Sequence, residues 1–253
     1  MKTTPLPLIL LLSLLLLAPT AKAEGNETTE VTKTNWQDAN VLASVSVGTD
    51  GTPTDVQVTL PNTNDATRTD TLYTVKTALG LAWIANITNN SSIYQESGTD
   101  AQQLYPHQKG FKNCTVELST SLTNDTIDLS GYYWTPIGNS SSTPFNGTFD
   151  GNHKVVKGLK IDKIEDTSTY YIYTGLFGYL SDNVHDLGIQ VAEEGIKVIG
   201  MNVYAGTLAG YNEGAIQNCF AIGANDAVID AESTYSNYCG GLIGQNSGGS
   251  ITN

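Results

Sequence analysis

The sequence predicts an all-β protein built mainly as a parallel β-helix, preceded by short strands and a capping helix. Three observations predict this fold: glycine-punctuated phrases recur at nearly constant intervals, the apolar runs between them are short, and the chain after Pro144 has many glycines but no proline. Recurrence at about 20 to 50 residues is typical of solenoids, in which each unit buries its apolar face against its neighbours. We therefore divide the chain into residues 1–23, 24–110 and 111–253.

The first 23 residues have the pattern of a secretory signal peptide. Lys2 gives a positive start, Leu6–Leu17 gives an apolar stretch, and Ala21-Lys22-Ala23 gives a small-x-small cleavage site. The apolar stretch is shorter than the roughly 20 residues with which a helix spans a membrane. We expect an exported protein with no transmembrane segment after cleavage.

The charge of the remaining chain excludes some classes of partner. After residue 23 there are 25 acidic and 10 basic side chains, which gives a net charge of −15. A surface of this sign repels phosphate backbones and anionic lipids. The composition therefore predicts no nucleic-acid binding.

Residues 24–110 are predicted to form short strands followed by one helix. Apolar and polar residues alternate in "VLASVSV" and "TDVQVTL", which indicates strands. The pattern does not show how these strands attach to the rest of the fold. The helix is predicted over about 77–89, with Thr77 as its N-cap. Its apolar face consists of Leu79, Ala82, Trp83 and Ile87. Because the first coil of a solenoid exposes an apolar end, we expect this helix to cap it.

Residues 111–253 are predicted to form the β-helix. At the start, "CTVEL" and "TIDL" indicate strands at Thr115–Leu118 and Thr126–Leu129. Asp150-Gly151-Asn152 indicates a turn between the segment ending at Phe149 and the segment Val155–Ile161. Each later repeat is predicted to hold about three short strands separated by glycine, asparagine and aspartate corners.

The repeats themselves set the register of the coils. The phrases "TGLFGYL", "AGTLAGYN" and "GGLIGQN" align when the last glycine of each motif is superposed: Gly178, Gly210 and Gly244, at steps of 32 and 34 residues. In this register the leucines coincide, namely Leu176, Leu208 and Leu242, and the last repeat adds Gly241. Successive coils lie about 4.8 Å apart, so we expect these leucines to form one interior column.

Three cysteines remain after residue 23, and an odd number excludes complete pairing within the chain. Cys219 and Cys239 could bridge, but their repeat positions do not coincide, and we favour buried thiols. The histidines share no ligand spacing: His107, His153 and His185. The sequence predicts neither a metal site nor a cofactor.

Taken together, these residues resemble the bacterial exported and surface proteins that carry the GLUG motif. "GGLIGQNSGGSITN" resembles the glycine-leucine-glycine repeat, and "IDLSGYYWTPIGNSSSTPFNGTFDGN" resembles the segment that precedes it. The likeness covers roughly residues 72–253, although Thr207 stands where the motif has glycine. It implies a right-handed parallel β-helix on or outside a bacterial cell, and it implies no catalytic residues.

The resemblance also bears on the end of the chain. In that family the phrase "SITN" continues into another strand and further coils. We therefore expect a fragment of a longer protein whose remaining coils cover the open end. The other interpretation is that this end meets a partner.

Some parallel β-helices cleave polysaccharides with clustered carboxylates, usually assisted by arginine or lysine. The only arginine is Arg68, outside the repeats. Asp182 and Asp186 flank His185, and Glu193-Glu194 adjoin a later strand, but no such cluster recurs at the repeat spacing. We predict no catalytic residues.

Aromatic residues supply the candidate ligand contacts: Trp134, Tyr170, Tyr171 and Tyr173. Exposed rings would stack on sugars, whereas alternate members would fill the core, because neighbours on a strand face opposite ways. The predicted function is a non-catalytic secreted or surface module, adhesin-like or a spacer, that contacts glycans or extracellular proteins. The alternative is the N-terminal part of a carbohydrate-active β-helix enzyme.

Overall fold

The computed structural model describes residues 35–49, 54–60, 70–90, 109–163 and 169–253. The predicted signal peptide, Arg68 and His107 lie outside these ranges. Two α-helices occur within them, α1 (Ala39–Leu42) and α2 (Ala78–Asn89), and two short 3₁₀ helices, Lys109–Phe111 and Thr123–Asp125. The strands before the repeats are β1 (Val47–Gly48), β2 (Val56–Thr59), β3 (Thr71–Val75), β4 (Cys114–Leu118), β5 (Thr126–Asp128) and β6 (Thr148–Lys163). Those that follow are β7 (Tyr171–Thr174), β8 (Phe177–Leu180), β9 (Val184–Gly206), β10 (Ala209–Asn212), β11 (Ile216–Gln217), β12 (Phe220–Gly223), β13 (Ile229–Gly240), β14 (Ile243–Asn246) and β15 (Ile251–Thr252).

The chain winds as a parallel β-helix of about four turns, which confirms the predicted fold class. β4 pairs in parallel with β6, β6 with β9, and β9 with β11, β12 and β13. One position therefore recurs in every turn, occupied in order by Val116, Phe149, Val184, Ile216 and Ile251. Stacking in register buries the apolar residues of each coil against those of the next.

The third coil turns its corners without leaving the strand, whereas the fourth is divided into β11, β12 and β13. β9 is 23 residues long and bends through most of a turn, whereas the sequence predicts about three short strands per repeat. Its first corner is at Asp186, with φ 54°, and the next coil has Asn218 there, with φ 51°. Asp and Asn tolerate this left-handed conformation better than most residues. The strand continues through the bend at Asp186, whereas Asn218 lies in the gap between β11 and β12.

The predicted repeat register is present in the sheet formed by β8, β10 and β14. Ala209 pairs with Phe177 on one side and Ile243 on the other, which sets the three repeat glycines side by side. Leu176 and Leu208 are fully buried and Leu242 is half-buried, so the leucines line one interior column. The amide of Leu208 donates to the carbonyl of Leu242 at 2.8 Å.

The short N-terminal strands extend the same sheet beyond the first coil. β3 pairs in parallel with β4, β2 pairs antiparallel with β3, and β1 pairs in parallel with β2. The helix α2 follows β3 directly, and its N-cap is Thr77, whose Oγ1 accepts from the amide of Gly80 at 3.0 Å. Helix and N-cap agree with the prediction over about 77–89.

The face that α2 buries differs from the predicted one. Leu81, Ile84 and Ala85 are fully buried in the core, together with the predicted Ala82 and Ile87. The predicted Leu79 and Trp83 are only half-buried. The helix lies across the end of the first coil and buries a wide arc rather than one narrow stripe, so the cap is broader than the pattern suggests.

The cysteines are thiols, as expected, but they are not all buried. Cys114 is buried, Cys219 is half-buried, and Cys239 is exposed on β13. The expectation of buried thiols is therefore wrong for Cys239, because the last described coil has no strand over β13 in the described residues. Among those residues, no helix is long and apolar enough to cross a membrane.

Candidate functional site

Tyrosines from three successive coils gather on one side of the β-helix. We call this set the tyrosine face; its members are Tyr170, Tyr171, Tyr173, Tyr179, Tyr204, Tyr211, Tyr235 and Tyr238. They come from β7, β8, β9, β10 and β13 or the residues just before β7. The predicted contacts Tyr170, Tyr171 and Tyr173 are brought together here.

The register of the coils stacks these rings in two columns. Tyr204 pairs with Tyr173 in the preceding coil and with Tyr238 in the next one, with ring centroids 5.0 and 4.9 Å away. The second column is Tyr179 over Tyr211, with centroids 4.7 Å apart. Parallel coils repeat at about this distance, so equivalent side chains stack as a consequence of the fold.

The two columns contact each other edge to face. The ring of Tyr173 lies 5.3 Å from that of Tyr179 at 76°, and Tyr204 lies 5.7 Å from Tyr211 at 80°. Both offset-stacked and edge-to-face arrangements are favourable for aromatic rings. The columns therefore hold each other in place as one continuous surface of rings.

The margin of the tyrosine face is open to solvent. Tyr235 is 70% exposed and Tyr170 is 55% exposed, with their centroids 6.4 Å apart. Tyr171 and Tyr238 are exposed as well, while the central Tyr173 is only 8% exposed because its neighbours cover it. Direct contact with a ligand thus falls to the marginal rings, and Tyr173 supports them.

Two hydroxyls of the face, those of Tyr173 and Tyr179, stay protonated at neutral pH. Burial, followed by the nearby Tyr204, Tyr171 and Tyr211, raises the pKa of Tyr173 to about 12. Burial also raises the pKa of Tyr179, and so does Glu213, whose Oε1 accepts from the Tyr179 hydroxyl at 2.9 Å. These two hydroxyls are therefore neutral groups that can donate and accept hydrogen bonds.

Trp134 does not belong to this surface, and its prediction as a ligand contact is wrong. The side chain is only 2% exposed and lies in the core. Its Nε1 donates to the carbonyl of Leu176 at 3.0 Å. A buried tryptophan commonly satisfies its N–H in this way, and here the bond joins the first coil to the second.

The carboxylates considered for catalysis are dispersed along the corners. Asp182 accepts from the amide of Asn183, and Glu194 forms an ion pair with Lys160 at 2.9 Å. Asp186 contacts Nδ1 of His185 at 2.9 Å. Hydrogen bonds from Asn218 and then from His185 hold the pKa of Asp186 below its usual value.

A cleft of about 410 Å³ lies elsewhere, beside the last described coil. Its lining is mostly aliphatic, with Val191, Ile222 and Val228 among its residues and no ionisable side chain other than the Cys239 thiol. This cleft is lined by no carboxylate, imidazole or amine, so the tyrosine face is the better candidate for recognition.

Sequence reasoning found three of the eight tyrosines and missed the other five. The missing signal is the repeat register itself. Tyr179 and Tyr211 each follow a repeat glycine by one residue, and Tyr204 and Tyr238 each precede one by six. Aligning tyrosines as well as leucines on those glycines would have shown the columns.

No protein-family model matches the chain, and no curated protein or solved structure matches it.

Proposed function

We propose that this chain is a non-catalytic, exported bacterial β-helix module of the GLUG type whose tyrosine face binds neutral glycans. The observation that carries the proposal is the assembly of eight tyrosines on one side of three coils. Tyrosine is suited to recognition because it supplies large, rigid contact area with little loss of conformational entropy, and its hydroxyl forms hydrogen bonds.

The charge of the chain selects the class of glycan. The net charge of the full sequence is −13, and the carboxyl group of Glu213 accepts a hydrogen bond from Tyr179 of the face. An acidic protein repels acidic polysaccharides, especially at low ionic strength. Aromatic rings, by contrast, contact the apolar faces of neutral sugars without needing a counter-charge.

The test is affinity electrophoresis of the purified chain through gels that contain neutral polysaccharides, each compared with an acidic one. The double variant Tyr170→Ala/Tyr235→Ala removes the two most exposed rings. Two lost aromatic contacts of about 0.5–1.5 kcal/mol each predict a loss of affinity of about five- to 150-fold.

The matched control is Tyr132→Ala, which removes an exposed tyrosine that packs on Trp36 away from the face. We expect this variant to bind glycan as the unaltered chain does. The proposal would be contradicted if neutral polysaccharide gels retarded the unaltered chain, the double variant and Tyr132→Ala equally. It would also be contradicted if only gels with acidic polysaccharides retarded the unaltered chain.

The alternative function is cleavage of a polysaccharide, and the contact between His185 and Asp186 is the observation in its favour. It is tested by following the viscosity and reducing ends of acidic polysaccharides. Cleavage that disappears in Asp186→Asn but persists in Asp182→Asn would replace the binding role with a catalytic one.

A further inference from the structure

Two aspartates and two histidines meet at a corner shared by the second and third coils. Asp150 of β6 and His185 of β9 are partners in the parallel register, and Asp186 follows directly. His153 lies on the other side of Asp186. In the linear sequence these residues share no ligand spacing, and only the coil register brings them together.

A local insertion explains why His153 reaches this corner. Between two register pairs, the three residues Gly151–His153 oppose the single residue Asp186. A side chain at position 151 would meet backbone of β9, with Leu187 Cα only 2.6 Å from an added Cβ, so glycine is required there. Asn152 and His153 then adopt left-handed φ values of 50° and 58°, which turn the bulge back over Asp186.

The ligand atoms of Asp150, His185 and Asp186 lie at distances that suit one shared ion, and His153 contacts this group through Asp186. Nδ1 of His185 is 2.9 Å from Asp186 Oδ2 and 3.5 Å from Asp150 Oδ1. Nδ1 of His153 is 3.4 Å from Asp186 Oδ1. Metal–ligand bonds of about 2.1 Å in a tetrahedron place neighbouring ligand atoms about 3.4 Å apart. The three residues other than His153 have ligand atoms that all lie within 4.8 Å of one another.

Hydrogen bonds from outside the cluster orient both carboxylates. Asn218 Nδ2 donates to Asp186 Oδ1 at 3.0 Å, and the amide of Asn152 donates to Asp150 Oδ1 at 2.8 Å. Such outer contacts fix the ligands of metal sites and contribute to their affinity. The side chains of Asp150, His185 and Asp186 are partly shielded from solvent, whereas that of His153 is 83% exposed.

We propose that Asp150, His185 and Asp186 bind a divalent transition-metal ion of the zinc type that clamps the second coil to the third, and that His153 supports this site through its contact with Asp186. Without an ion, Nδ1 of His185 can form a hydrogen bond with only one of the two carboxylates that it faces, those of Asp150 and Asp186. A bound cation could be coordinated by both carboxylates. Mixed imidazole and carboxylate ligands favour zinc, copper or nickel over calcium and magnesium, which prefer oxygen alone. This site lies at the start of β9, whereas Tyr204 of the tyrosine face lies near the end of that strand, and the site does not depend on the proposed function.

The experiment is calorimetric titration of the full chain, first freed of metal by a chelator, with zinc chloride. We expect one ion per chain and no displacement by calcium. At zinc concentrations of about 100 times Kd, Tm should rise by about 5–10 °C. His185→Gln should weaken zinc binding at least tenfold, while Asp182→Asn, which alters a nearby carboxylate outside the cluster, should leave it unchanged.

His153→Gln gives a second variant whose altered side chain is mostly in solvent, so the test survives if His185→Gln does not fold. It should also lower the affinity for zinc. Absence of zinc uptake, or equal uptake by both histidine variants and the unaltered chain, would overturn the proposal. Cobalt substitution adds an independent readout: a thiolate charge-transfer band would place the ion on cysteine and reject this site.

Discussion

Replacing Gly210 by alanine is expected to destabilise the β-helix strongly, whereas the same change at Gly241 should be almost silent. An alanine Cβ at position 210 would lie 2.6 Å from the amide nitrogen of Thr174 and 2.6 Å from the carbonyl oxygen of Tyr204. It would also lie 3.0 Å from the carbonyl oxygen of Gly178. At position 241, no atom lies within 4 Å of the added Cβ.

The magnitude follows from what must move at Gly210. Ordinary carbon contacts are about 3.5–4.0 Å long, so the close atoms must retreat by most of an ångström. All three belong to backbone, two of them to the preceding coil, and strands in register cannot separate that far without losing hydrogen bonds. Overpacking of this kind costs about 1–3 kcal/mol, and we expect the upper end, which lowers Tm by about 6–12 °C.

Thermal unfolding followed by far-ultraviolet circular dichroism checks this prediction with both single variants side by side. The two substitutions are identical in chemistry and lie in equivalent glycine-leucine motifs, so Gly241→Ala is a close control. We expect its Tm to stay within about 3 °C of the original. If both variants melt together, the close approach of coils at the repeat glycine is not what constrains that position.

Three further predictions concern the cap, the tyrosines and the core. Thr77→Ala removes the oxygen that caps α2 and should lower the free energy of unfolding by about 1 kcal/mol in a urea titration; an unchanged midpoint would mean that the cap is dispensable. The pKa of Tyr173 is raised in the folded state from 10.0 to about 12, so the unfolded chain loses this proton at a lower pH than the folded one. The free energy of unfolding should therefore be unaffected by this group below pH 10 and should decline as the pH rises toward 12. Tyr173→Phe should make that decline in unfolding free energy shallower, and an identical pH profile would refute the assigned burial. Trp134→Phe loses the hydrogen bond to Leu176 and should lower the free energy of unfolding by about 1 kcal/mol or more. Glycan binding should be unchanged. Reduced glycan binding by a folded Trp134→Phe variant would show that Trp134 contacts the ligand.

The part of the fold that could be predicted from sequence is the part governed by repetition. Leucine and glycine recur because interior columns and close coil contacts restrict the same positions in every turn, and their alignment predicts the register of β8, β10 and β14. Thr77 was recognisable as an N-cap because capping depends on local chemistry. These signals are either periodic or short in range.

The remainder depends on three-dimensional context that periodicity does not carry. Trp134 is predicted as a possible ligand contact because the sequence says nothing about the direction in which an aromatic side chain points outside a regular strand. The approach of His153 to Asp186 depends on an insertion whose length is visible only once β6 and β9 are paired. Likewise, α2 buries Leu81 and Ile84 because of how it lies on the first coil.

The bulge at Gly151–His153 shows how this architecture accommodates a change in chain length. Ladder pairing resumes on both sides of it, so the additional residues alter one corner and leave the neighbouring coils undisturbed. Insertions and deletions at corners can therefore accumulate independently along the winding. A protein of this kind can diversify its outer chemistry locally during evolution, and the same corners are suitable places to graft foreign peptides.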